Sequence, residues 1–270
     1  MDTLTKKTIL KRANQNLRKM FPKHGVLPIR LGDIEAVYSR NVLGINADTK
    51  TRKGTGKGYL TGIMYFAPAD ISGVNMCPMA SQGCKAACLF TAGRGAFLSI
   101  TRQRIIKTLA YHFDKPRFIE TIKKSIRSLV TKAENKGLTP VVRLNGTSDI
   151  LWERTTDILQ SFPNIIFYDY TKIAKRFLWD IPANYHLTFS VSESNDADAR
   201  LVLSRGGNVA AVWRKDLPVS LWGYPVINGD ETDLRFLDVR GVVVGLKAKG
   251  KARKDASGFV RDYASERMAA

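Results

Sequence analysis

The sequence predicts an α/β fold, a partial or complete parallel (β/α) barrel, on three observations. Short runs that are apolar throughout recur along the 270 residues, helix-compatible segments separate several of them, and polar or charged residues gather just after each run. Strands buried on both faces read as unbroken apolar runs, and their alternation with helices marks a parallel sheet covered on both sides. With about six or seven such strands, a barrel is expected over a doubly wound sheet. No G-x-G-x-x-G follows a strand, so a dinucleotide fold has no support.

The elements follow in order. Residues 1–20 place Leu4, Ile9, Leu10 and Leu17 among lysines and arginines, the pattern of a basic amphipathic helix. Residues 48–58, rich in Gly, Lys and Thr, read as a flexible loop. Tyr59 to Ala67 is apolar, β-prone and closed by Pro68, and is taken as the first strand. From Phe97 to Lys136 the periodicity is helical and is broken at Lys115-Pro116. Two helices are expected there, the second ended by Gly137. Six further runs follow as strands: PVVRLNGTSD, NIIFYDYTK, YHLTFSVSE, NVAAVWR, YPVINGDE and GVVVGLKAK. Residues 150–161 and 194–204 are helix-compatible. The expected organisation is a basic helical extension over residues 1–45 and a single barrel-like domain over residues 46–270.

Composition narrows the function. Lys and Arg number 43 against 24 Asp and Glu, a formal net charge of +19. Polyanions are natural partners for such a chain, and a nucleic acid or nucleotide is expected. Lys50, Arg52, Lys53, Lys247, Lys249 and Lys251 are the candidate phosphate contacts, joined by the basic N-terminal helix. No zinc-finger pattern or RNP signature is present. No stretch reaches the roughly 20 apolar residues of a membrane span, and the N-terminus lacks the apolar core of a signal peptide. A soluble protein of the cytoplasm with reduced thiols is expected.

Chemistry points to the cysteines. Cys77, Cys84 and Cys88 are the only three in the chain and fall within CPMASQGCKAAC, just past the first strand. Buried structural cysteines scatter, an odd number does not make a disulfide framework, and a chain of this length builds its own core. Three thiolates hold three irons of a [4Fe–4S] cluster and leave the fourth open, or supply three of four zinc ligands. The spacing C-x6-C-x3-C matches neither paired C-x2-C knuckles nor the commonest radical S-adenosylmethionine (SAM) motif, C-x3-C-x2-C, and both metals stay open. His112, 24 residues beyond Cys88, is a weaker candidate for a fourth zinc ligand.

In parallel barrels, residues past the C-terminal ends of strands converge on one face. Here that set holds Asn145, Gly146, Thr147, Ser148, Asp149 and Glu153, then Asp169, Tyr170 and Lys172, then Ser190, Ser192 and Glu193. Arg214, Asn228, Asp230, Glu231, Lys247 and Lys249 complete it. Many such carboxylates serve as helix N-caps, whereas Asp149 belongs to a dense polar turn, NGTSD. No Ser-His-Asp arrangement and no P-loop is present.

The segments CPMASQGCKAACLFTAGRG, RLNGTSDILWE, FYDYTK, NYHLTFSVSE and VVVGLKAKG resemble those of a family encoded by tailed bacteriophages, the gene product 88-like proteins, over about residues 45–262. More loosely, the order of elements is similar to a phage and bacterial family of radical-SAM-like iron–sulfur proteins. Ser81, Gly83 and Cys84 match its first block, and Ser148, Asp149 and Glu153 its second. This second resemblance implies a partial (β/α)6 barrel of the radical-SAM type, a [4Fe–4S] cluster on Cys77, Cys84 and Cys88, and SAM at the open iron. The place of the G-G-E segment that holds the SAM amino group is taken by NGTSD, with Asn145, Gly146, Ser148 and Asp149 as cofactor contacts. No G-G-E is present in the sequence.

The leading expectation is therefore a phage iron–sulfur enzyme acting on a nucleotide or nucleic acid, including in DNA modification, with Asp149, Asp169, Lys172 and Glu193 as catalytic polar groups. One alternative is a zinc-stabilised, transglycosylase-like enzyme that modifies or exchanges DNA bases. It would use Asp149 or Asp169 as nucleophile and Phe167, Tyr168, Tyr170 or Trp213 to stack an unstacked base. The other is a non-catalytic nucleic-acid-binding protein of host takeover, its cysteines a structural zinc staple.

Overall fold

A computed structural model describes residues 2–47 and 49–262. Helix α1 (Thr3–Met20) starts where Asp2 accepts a hydrogen bond from the Thr5 N–H, and it buries Ala13 and Leu17 in the main core. After α2 (Leu31–Glu35) and the short strand β1 (Gly44–Ile45) comes α3 (Thr49–Thr55), in the segment expected to be a loop. Its weak helix formers are held by tertiary contact: Thr51 is buried, and Gly54 packs on Leu234.

Strand β2 (Tyr59–Ile63) leads into the cysteine segment, which contains α4 (Gln82–Ala86). The two expected helices follow as α5 (Leu98–Phe113) and α6 (Lys115–Glu134). Asp114 caps α6, Pro116 occupies its first turn, and Gly137 just beyond it adopts positive φ. Then come β3 (Thr139–Arg143), α7 (Trp152–Thr155), α8 (Ile158–Ser161), β4 (Ile166–Thr171), β5 (Tyr185–Ser190) and α9 (Asp196–Ser204). The chain continues through β6 (Asn208–Trp213), β7 (Ser220–Leu221), β8 (Tyr224–Asn228), β9 (Val243–Lys247) and β10 (Val260–Arg261). All seven expected strands form. The two-residue strands β1, β7 and β10 carry no periodic signal and were not anticipated.

The strands make one mostly parallel sheet in the order β1-β2-β3-β4-β5-β6-β9-β8-β7, with β10 pairing beside β6. From β2 to β6 every neighbour is parallel and consecutive in the chain. Strand β9 continues that direction against β6, and β8 against β9. The ends of the sheet do not meet, so the complete barrel is not formed.

Alternation along the strands divides the core. Leu60, Val142 and Phe167 face the large cluster built with α1, α5 and α6, while Val141 and Tyr168 face the opposite side with Leu234, Tyr59 and Phe236. Gly62 lets the sheet approach α6 closely. A Cβ there would lie 2.8 Å from Leu129 Cδ2 and 3.2 Å from Leu43 Cδ1. Gly62→Val is therefore expected to cost about 1–3 kcal/mol by overpacking. Urea unfolding against the exposed control Thr131→Ala, expected within about 0.5 kcal/mol of the parent, measures it.

Candidate functional site at the sheet edge

The parallel strands bring their C-terminal ends to one edge, and the cysteine segment lies there. Ser81 caps α4 by accepting from the Cys84 N–H at 3.1 Å. Glu193, past the end of β5, clamps the same turn: it accepts from Ser81 Oγ at 2.7 Å and from the Gly83 N–H at 2.8 Å. Gly83 leaves room for this clamp: a Cβ there would sit 2.1 Å from Ser257 Oγ and 2.9 Å from the Glu193 carboxyl, so both side chains would have to move. Glu193, predicted as a substrate-side group, thus positions the cysteine helix.

Cys77, Cys84 and Cys88 are free and half-buried. Cys77 donates its thiol hydrogen to the Thr147 carbonyl at 3.6 Å. Burial pushes its thiol up to about 12, and the charges of Cys88, Cys84 and Asp149 push in the same direction, which places all three sulfurs and Asp149 in one neighbourhood. Burial also raises Cys88, while Arg104 and Lys172 pull it back. Among the described residues, no three His, Cys, Asp or Glu side chains close around one point as a preformed site for a metal ion. A ligand shared by the thiols therefore has to span them or draw them together. His112, expected as a possible fourth ligand, belongs to no such group. It lies about 12 Å further along α5 than Arg104.

The NGTSD turn is built from its own side chains. Asn145 Oδ1 accepts from Ser148 Oγ, the Ile150 N–H and Trp152 Nε1, and its amide donates to the Ile150 carbonyl. Asn145 and Ser148, predicted as cofactor contacts, are committed to shaping the loop. Gly146 presses against β2's continuation, where a Cβ would meet the Met64 carbonyl at 2.6 Å. Thr147 Oγ1 donates to the Phe66 carbonyl.

Asp149, at the end of this turn, lies in the neighbourhood of the thiols. Its Oδ2 accepts from the Lys172 N–H at 2.8 Å, and its Oδ1 accepts from Arg176 Nη1 at 3.4 Å. Burial raises its carboxyl, against the pull of the Lys172 N–H, Thr171, Arg176 and the Lys172 charge. Lys172 turns its ammonium to Ser190, 2.5 Å from Oγ. Asp169 is elsewhere: fully buried, it accepts from the Asn145 N–H at 2.7 Å and from Tyr185 Oη at 2.8 Å. Predicted as a catalytic group, it forms in the fold a joint between strand and loop. Phe167, Tyr168 and Trp213 are likewise sealed in the core, which removes them as base-stacking platforms; Tyr170 is only partly buried.

The two basic stretches meet through the turn after β8, where Lys50 Nζ donates to the carbonyl of Gly229, 179 residues away, at 2.9 Å. Asp230 pairs with both Lys50 and Lys249 at 2.8 Å, and its carbonyl accepts from Lys53. Those contacts hold its carboxyl far below the usual range despite partial burial. Arg52, Lys247 and Lys251 stay exposed around this centre. The second stretch also touches the cysteine segment, with Ala248 and Ala252 packing on Ala87. Beside it, an open cleft of about 460 Å³ is lined by Glu193, Asp196, Arg214, Asp255 and Arg261.

Sequence reading missed two arginines. Arg176 is wholly buried and joins Glu153 through two hydrogen bonds of 2.9 and 2.8 Å. Arg104 is buried beside Cys88, and its signal was an arginine three residues after Thr101 and four before Thr108, both buried on α5. Among the described residues, no helix is long and apolar enough to cross a membrane.

Fold and edge together define an α/β protein with an open, mostly parallel sheet, three free thiols and a cationic border. Residues 40–263 match the Gene product 88 family, a phage-type family, and the chain belongs to it. Among curated proteins and among solved structures, the comparisons gave no match.

Two outcomes follow from the buried charges. Glu153→Ala strands Arg176 with a weaker partner set and should cost about 3–5 kcal/mol, read by chemical unfolding, whereas Thr155→Ala on the same helix should cost far less. Burial, the dominant influence, lifts the Asp169 carboxyl from an unfolded value of 3.8 to about 7. The folded group keeps a proton that the unfolded chain releases. Its stabilising contribution is thus full below about pH 4 and lost as the pH rises through about 7. Unfolding free energy should fall more steeply over that window in the parent than in Asp169→Asn.

Proposed function

We propose that the chain is an iron–sulfur enzyme of the radical-SAM-like kind, its sheet a partial (β/α) barrel, acting on a nucleotide or nucleic acid. The observation that carries the reading is the convergence of Cys77, Cys84 and Cys88 with Asp149 and Lys172 at the C-terminal edge of consecutive parallel strands. The donor set suits the group: three thiols with no disulfide, on a segment fixed by Glu193. Three free thiols on one short segment match the three-thiolate ligand set of a [4Fe–4S] cluster with one open iron. Held by Cys77, Cys84 and Cys88, such a cluster would supply SAM with an electron taken from an external one-electron reductant.

The chain's own groups supply the rest. Asp149 presents a carboxylate to a ligand ammonium, held in place by the Lys172 N–H and Arg176. Lys172 holds a positive charge at the edge for an anionic substrate, anchored on Ser190. The border of Lys50, Arg52, Lys53, Lys247, Lys249 and Lys251 offers phosphate contacts next to the cysteine segment, an arrangement suited to sequence-independent backbone binding.

Dithionite-reduced protein is expected to cleave SAM to 5′-deoxyadenosine, with Cys84→Ala and Asp149→Ala inactive; failure of the parent under reconstituted, oxygen-free conditions overturns SAM use. Neutralising Lys247, Lys249 and Lys251 to Gln should weaken nucleic-acid binding across sequences and reduce the slope of log K against log salt by about three. An unchanged slope removes this border as the phosphate-binding surface.

A further inference from the structure

Arg104 is a buried charge whose requirements the fold leaves unmet. Its side chain is 8% exposed, and its Nε and Nη1 have no hydrogen-bond partner. It enters no ion pair among the described residues, unlike buried Arg176, which is met by Glu153 and Asp149. The guanidinium lies over the Tyr65 ring at 4.7 Å and near the Phe90 ring at 5.8 Å, and Phe90 is only two residues beyond Cys88. Gly95 makes room for it: a Cβ there would come within 3.4 Å of Nη1 and 2.6 Å of the Phe90 carbonyl. An unpaired buried cation of this kind is strongly destabilising unless an anion meets it.

The thiols supply such an anion once loaded. Three thiolates on a doubly positive core, whether an oxidised [4Fe–4S] cluster or a zinc ion, leave one net negative charge. Lys172, the other cation near Cys88, is already bonded to Ser190, which leaves Arg104 with unused donors. We infer that Arg104 is the built-in countercation of the thiol site, placed to donate hydrogen bonds to the anionic metal–thiolate centre of Cys77, Cys84 and Cys88. The inference rests on the proposed function only in requiring that these thiols take a metal.

The test compares the parent with Arg104→Lys, which keeps the charge, and Arg104→Met, which removes it, each metal-free and each reconstituted anaerobically with iron and sulfide. Metal-free Arg104→Met should melt at or above the parent temperature, because it discards an unmet buried charge. Loaded, it should surrender iron to a chelator about tenfold faster, and its cluster should be harder to reduce, with a lower midpoint potential. Arg104→Lys should restore much of both. Equal iron retention and equal potential in Arg104→Met and the parent overturn the countercation while leaving the metal reading intact. A lower metal-free melting temperature for Arg104→Met overturns the claim that Arg104 is unmet. A parent that takes up neither iron with sulfide nor zinc overturns both inference and proposed function.

Discussion

Arg176 holds the edge of the sheet together. With no solvent to stabilise its charge, the guanidinium is satisfied by two bonds to Glu153, one to Asp149 and one to Tyr185 Oη. Tyr185 donates a hydrogen bond from its hydroxyl to Asp169, which also accepts from the Asn145 N–H. One buried cation thereby ties together the turn after β3, the end of β4 and the start of β5. The placement of Asp149 near the thiols and against the Lys172 N–H depends on that chain of contacts. Breaking it exposes the asymmetry of buried ion pairs: removing one partner costs far more than the intact pair contributes.

The cysteine segment depends on a second, simpler constraint. It has little regular structure of its own, and α4 is a single short turn. Glu193 and Ser81 fix that turn from outside, and the packing of Ala87 on Ala248 and Ala252 secures its far side. The basic stretch after β9 is therefore part of the thiol site's support, which links the cationic border mechanically to the candidate metal centre.

The seven longer strands were legible because each follows from a local pattern; their order was legible only from β2 to β6, since β9 lies between β6 and β8 where a barrel in chain order would place β8. Apolar runs such as IIFYDYT and VAAVW record burial on two faces, and polar residues directly after them record where strands stop. Open and closed sheets share that pattern, so closure was not legible. Helix α3 was hidden because TKTRKGT has weak intrinsic propensity, and contact with Leu234 overrides it. The site was readable as a set of residues and much less as roles. Asn145, Asp169 and Glu193 looked available for chemistry, yet each is bound to groups distant in sequence or to its own turn. Pairings such as Glu153 with Arg176, 23 residues apart, leave no periodic trace.

The central claim is that Cys77, Cys84 and Cys88 together bind an iron–sulfur cluster. Anaerobic purification with iron, zinc and sulfide analysis and an ultraviolet-visible spectrum tests it most directly. Iron and sulfide are expected in equal amounts, with a broad absorption in the region typical of [4Fe–4S] proteins and loss of both in Cys84→Ala. Bound zinc without sulfide, or no metal in the parent after reconstitution, contradicts it.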